Sequence, residues 1–154
     1  MRSNDHRILK KIHISMLLLL ILSANGRGQE LATNSKPDTN HVSTFTLFIF
    51  TGSDWCMNCK RLEKKVLNEP AFTESMRKNG IEIRKVDFPQ HIKLAPEVLK
   101  YNQSIADNYH FNSVFPTFVL AKNNSEQYRL FFYGNQAWDE FSRLILEYKA
   151  KMNE

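Results

Sequence analysis

The apolar positions fall into blocks whose spacing changes several times along the chain. Phe45-Thr46-Leu47-Phe48-Ile49-Phe50 is a short and almost unbroken apolar run, which predicts a buried strand. After it the spacing turns helical, with Cys59, Leu62 and Val66 sharing one face. Asn68-Glu69-Pro70 interrupts that helix, and Pro70 suits the first turn of a second piece anchored by Phe72 and Met76. Gly80 is the expected stop. A second strand is read over Ile81 to Phe88, followed by a loop over residues 89–96 that holds Pro89 and Pro96. Glu97 to Tyr109 reads as a helix with Val98, Leu99, Ile105 and Ala106 facing inward. Val114 to Leu120 is the third strand, entered through Phe115-Pro116. Asn123-Asn124-Ser125 turns it into a fourth, Tyr128 to Tyr133, and the two form a hairpin. Finally, Ala137 to Lys151 lines up Trp138, Phe141, Leu144, Ile145 and Tyr148 on one amphipathic stripe. The order β-α-β-α-β-β-α predicts an α/β domain over residues 44–154, without internal repeats.

The front of the chain follows a different pattern. Arg7, Lys10 and Lys11 precede the nine-residue apolar run Ile14 to Leu22, and small residues follow at Ser23, Ala24, Gly26 and Gly28. This is the make-up of a cleaved secretory signal peptide over residues 1–28. The apolar run is well short of the roughly 20 residues that span a bilayer, so an uncleaved anchor through 14–22 is the second choice. Residues 29–43 are polar and read as a mobile tether. The protein is expected in the periplasm or secreted.

Charge changes little. The formal net charge is +5, yet the leader alone carries five cations against one carboxylate, so the remainder is near neutral. A nucleic-acid interface would need a clustered basic excess in the domain itself, and none is evident.

The candidate chemistry lies between the first strand and the first helix. The chain's two cysteines, Cys56 and Cys59, are spaced Cys-x-x-Cys, a redox signature in an α/β pattern. Cys56 falls at the helix N-terminus, where unpaired N–H groups and the helix dipole favour a thiolate. Cys59, three residues on, is placed to attack the first sulfur. A structural staple across two residues would close almost no loop and stabilise little. Zinc wants about four ligands, no second cysteine pair exists, and the domain's histidines are scattered, so no metal and no cofactor is expected.

Trp55-Cys56-Met57-Asn58-Cys59-Lys60 resembles the active-site motif of thioredoxin-fold proteins, and Phe50-Thr51-Gly52-Ser53-Asp54-Trp55-Cys56 resembles a bacterial exported group within them. Val86-Asp87-Phe88 and Val114-Phe115-Pro116-Thr117 follow in the matching order, so the resemblance covers roughly residues 44 to 150. It implies a trimmed thioredoxin fold with a central mixed sheet flanked by helices. It further implies that Cys56 is the nucleophile, Cys59 the resolving thiol, and Pro116 a cis residue beside them whose preceding backbone pairs with substrate. From its place in the turn, Trp55 is read as covering one side of the site, with a core aromatic as the alternative, and Asp54 as a solvated turn residue or helix cap, or else a charge acting on the thiolate. Two positions depart from the pattern: Phe115 stands where a smaller residue is usual, and Phe50 stands where thioredoxins carry a buried acid that assists the second thiol.

Together these features predict an exported thiol–disulfide oxidoreductase, a monomer acting on protein or peptide thiols and disulfides as a reductase. A membrane electron donor would re-reduce it. The alternative is a non-catalytic binding module with a locked Cys56–Cys59 bridge. Neither the physiological substrate nor the group that replaces the acid at Phe50 follows from the sequence.

Overall fold

The structure, a computed structural model, describes residues 43–154. The expected leader (1–28) and tether (29–43) lie outside the described residues, Ser43 apart.

All seven residues of β1 (Phe45–Thr51) are buried. The strand lies between β2 (Ile81–Asp87), to which it is parallel, and β3 (Thr117–Lys122), to which it is antiparallel, and β4 (Tyr128–Phe132) completes the order β2-β1-β3-β4. A strand covered on both faces has no polar side, hence the near-continuous apolar run. Successive side chains point to opposite faces. Phe45, Leu47 and Ile49 join a core with Leu62, Val66, Phe72, Met76, Phe141 and Ile145. Phe48 and Phe50 join Val86, Val119 and Ala121, with Ile105, Ala106, Tyr109 and Phe111 packed against them.

Four helices flank the sheet. Helix α1 (Met57–Leu62) runs on into a π-helical segment, Glu63–Leu67, closed by the Asn68 N–H donating to the Glu63 carbonyl at 2.9 Å. The spacing predicted regular helix here; a π turn is rare and is commonest at functional sites. Helix α2 (Pro70–Lys78) starts on Pro70 and buries Phe72 and Met76 completely, and Gly80 ends the turn with φ 65°. That backbone conformation suits glycine. Helices α3 (Pro96–Asn108) and α4 (Trp138–Lys151) complete the set.

Two expectations are corrected. Val98 and Leu99 do not face the core; each is 42% exposed. Helix α3 is held to the sheet by Ile105 and Ala106 and by a buried amide, Asn102, whose Nδ2 donates to the Asp87 carbonyl at 2.7 Å. Its first turn lies over the preceding loop. Strand β3 also starts three residues late, because β1 ends its antiparallel ladder at Phe50 opposite Thr117. Val114 stays outside, 47% exposed, and its carbonyl accepts from the Thr117 hydroxyl at 2.6 Å.

Phe141 is fully buried against Phe118 and Phe72. Phe141→Ala should therefore lower the unfolding free energy by about 3–5 kcal/mol in urea titration. Phe132→Ala, at a half-exposed position of β4, should change it by no more than about 0.5 kcal/mol.

Candidate active site

The chain leaves β1 through a tight turn. The N–H groups of Trp55 and Cys56 both donate to the Gly52 carbonyl, at 3.3 and 2.9 Å. A Cβ on Gly52 would overlap the Trp55 indole, so glycine is what lets that ring lie across the turn. The Ser53 N–H and hydroxyl donate to the Asp87 carboxylate at 2.8 and 2.6 Å. Asp87 lies opposite Thr51 in the parallel ladder, so the turn is tied to the end of the neighbouring strand.

Cys56 is the N-cap of α1, and the Cys59 N–H donates to its sulfur at 3.1 Å. The two cysteines form a disulfide with their Cα atoms 5.2 Å apart. Both cysteines are buried, Cys56 at 7% and Cys59 at 3% exposure. Once the bridge is reduced, the same N–H and the open helix N-terminus favour a thiolate at Cys56.

The Phe115–Pro116 peptide bond is cis, and Pro116 is buried. The Phe115 ring does not stand free in a groove. It packs edge-on against Trp55 at 5.2 Å and against Phe111 at 5.0 Å. Phe111 in turn stacks on Phe50 at 4.4 Å. The position where an acid was sought is thus sealed inside an aromatic cluster. Carboxylates approach Cys59 from elsewhere: a cavity of about 420 Å³ is lined by Cys59, Ser53, Glu63, Lys85 and Asp87. Glu63, one helical turn beyond Cys59, accepts from the Lys85 ammonium at 2.7 and 2.8 Å. Cys59 thus shares a cavity with charged side chains that the position of Phe50 does not supply.

The Asp54 side chain is engaged by the neighbouring loop. Its carboxylate accepts from the backbone N–H groups of Gln90, His91 and Ile92, at 3.0, 2.6 and 3.1 Å. It clasps the loop over residues 88–95 to the cysteine turn. The Trp55 indole N–H adds a bond to the Phe88 carbonyl at 2.9 Å. Desolvation pushes the Asp54 carboxyl up, but the three N–H bonds and the nearby His91 outweigh it and hold the group below its usual value. Of the residues singled out from sequence, Trp55, Cys56, Cys59 and Phe115 come together, Pro116 lies next to Phe115, and Asp54 serves the loop. The sequence reading gave Phe111 no place; Ser53 stood in the motif, and Asn102, followed by Ile105-Ala106, belonged to the resemblance to the exported group, but neither had a role assigned.

Among the described residues no group of three or more His, Cys, Asp or Glu side chains is placed to hold a metal. None of the described helices is long and apolar enough to cross a membrane.

The solved structure of a DsbH oxidoreductase superposes with a TM-score of 0.59 at 22% identity, covering 67% of this chain and 70% of that one. The chain is a thioredoxin-fold protein. No protein-family profile matches it. It is 30% identical over 100 residues to the disulfide bond reductase DsbH of Chlamydia pneumoniae, a match covering 64% of this chain and 55% of that protein. It is also 26% identical over 90 residues to the thioredoxin-related protein DsbJ of the same organism, covering 58% of this chain and 26% of that one. The chain thus spans only about a quarter to a half of these relatives.

The Asp54 clasp makes a pH prediction. A carboxyl lowered by folding contributes stability that is fully present above the ordinary aspartate value of 3.8 and is lost as pH falls through its folded-state value. Exchange protection of the Gln90, His91 and Ile92 amides, corrected for intrinsic rate, should fall in that acid range. In Asp54→Asn it should already be low at pH 6 and change little with acid.

Proposed function

We propose that the chain is an exported thiol–disulfide oxidoreductase that reduces disulfides in protein or peptide substrates through Cys56 and Cys59. The observation that carries this reading is the Cys56–Cys59 disulfide at a helix N-terminus, with a backbone N–H on the first sulfur. In the reducing direction the Cys56 thiolate attacks one sulfur of the substrate disulfide, and the other sulfur leaves as a thiolate. Cys59 gives its proton to water in the adjoining cavity and attacks Cys56. The mixed disulfide breaks, the second substrate sulfur leaves, and the enzyme keeps the Cys56–Cys59 bond. Two electrons have passed to the substrate, and a dithiol donor must return them.

The name of the relative DsbH supports the reducing direction. The basic and apolar make-up of residues 1–28 supports export to the periplasm. An exported reductase draws its electrons from a membrane carrier, and the chain acts as a monomer. Trp55, next to Cys56 in the turn, and Phe115, which packs on it, offer substrate an apolar flank, the main chain before Pro116 pairs with an extended substrate, and Asp54 positions the loop beside them.

A second reading, a binding module with a locked bridge, is favoured by one observation, the apolar seal around Phe50. The reduction potential separates the two. Equilibrated with thiol buffers, the purified protein should give a value near the roughly −270 mV of thioredoxin. A value near about −120 mV would reverse the direction to oxidation, and a pair that never equilibrates would favour the locked module. Cys56→Ser should abolish disulfide reduction. Cys59→Ser should leave the first attack intact and accumulate a mixed disulfide visible by mass spectrometry.

A further inference from the structure

We infer that the loop over residues 88–95 carries a side-chain pocket that selects protein substrates by an aliphatic residue next to an acidic one. This rests on the redox reading above. The loop and the first turn of α3 enclose a pocket of about 280 Å³ lined by Phe88, Pro89, Ile92, Lys93, Leu94 and Leu99. Sites for drug-sized ligands and cofactors run to about 300–1,000 Å³, so this one suits a single large side chain. Its apolar walls are left open: Ile92 is 59% exposed and Leu99 42%. Clustered exposed apolar residues mark binding surfaces.

The loop that bears the pocket is tied to the cysteine turn. Asp54 and Trp55, which immediately precede Cys56, hold the loop by four hydrogen bonds to its backbone. Phe88 is a wall of the pocket, and its ring meets Phe115, which rests on Trp55. Met57 and Val114, 69% and 47% exposed, extend the apolar surface at the cysteine turn and ahead of Pro116. A polypeptide whose disulfide reaches Cys56 therefore meets a loop whose backbone is already held, which lowers the cost of ordering it on binding. Charge selects among such segments. Lys93 is the one charged residue lining the pocket, and the nearest carboxylate on the cysteine turn, Asp54, is taken up by the loop amides. The partner that fits is an extended segment with Leu, Ile or Met at the pocket and Asp or Glu beside it.

The test uses binding and chemistry separately. Eleven-residue peptides with a central S-methylcysteine, one leucine moved through the flanking positions and an aspartate beside it would be titrated by 15N NMR into the oxidised wild-type protein. One leucine position should bind about tenfold tighter than its serine counterpart, the value of burying one aliphatic side chain. The shifts should map to Ile92, Leu94 and Leu99. The preference should vanish in Leu99→Asp, and Lys93→Glu should prefer a lysine-bearing peptide to the aspartate one. Equal binding at every leucine position in the wild type, or a preference that survives in both Leu99→Asp and Ile92→Ser, would overturn the inference. The wild-type peptide series decides the matter even if a variant fails to fold. Reduction of 5,5′-dithiobis(2-nitrobenzoate) by the reduced wild type is read in parallel. Turnover of that reagent without a leucine preference sinks the pocket alone, whereas a preference without turnover sinks the redox reading alone.

Discussion

Burial of β1 on both faces is the constraint on which the rest of this structure depends. All seven of its side chains are buried, and the cysteine pair lies beyond its end, on the turn and the first helix. The same constraint accounts for Phe50. A carboxylate there would lie among Phe48, Val86, Val119 and the Phe111 ring, where an unpaired charge is expensive. The chain keeps the aromatic stack and leaves its acids, Glu63 and Asp87, in an open cavity beside Cys59.

Asp87 shows how the neighbouring strand holds that turn in place. Its carboxylate takes both donors of Ser53, its carbonyl takes the Asn102 amide, and the next N–H, of Phe88, donates to the Thr51 carbonyl at 2.8 Å. One residue at a strand end thus fixes the cysteine turn, the start of the loop and the seat of α3. Each bond is local and ordinary in strength; their convergence is what leaves the turn little freedom.

The fold was largely legible because its strongest signals are periodic. The unbroken run at Phe45–Phe50, the Cys59/Leu62/Val66 face, the Phe72/Met76 pair and the stripe from Trp138 to Tyr148 each report burial directly. Failures came where burial is not the determinant. Val98 and Leu99 are apolar and helically spaced, yet the turn that bears them lies over a loop, and an asparagine takes the buried place. Val114 looked like the first residue of a strand, but the ladder that defines β3 is set by its partner across the sheet. At the site, the cysteine spacing was readable because it is local in the chain. The Ser53–Asp87, Asp54–loop and Phe111–Phe50 contacts join residues 34 to 61 positions apart, and no periodicity encodes such pairs.

The way Asp54 grips its loop has a consequence for how such a protein can change. The carboxylate touches only main-chain N–H groups, which every residue except proline supplies. The side chains of Gln90 and Ile92 take no part in that anchoring, and His91 adds only its charge. Positions 90 and 92 can be exchanged for any residue but proline without unfastening the segment, and a lineage or a designer can rewrite what that rim displays while the cysteine turn beneath it stays as it is.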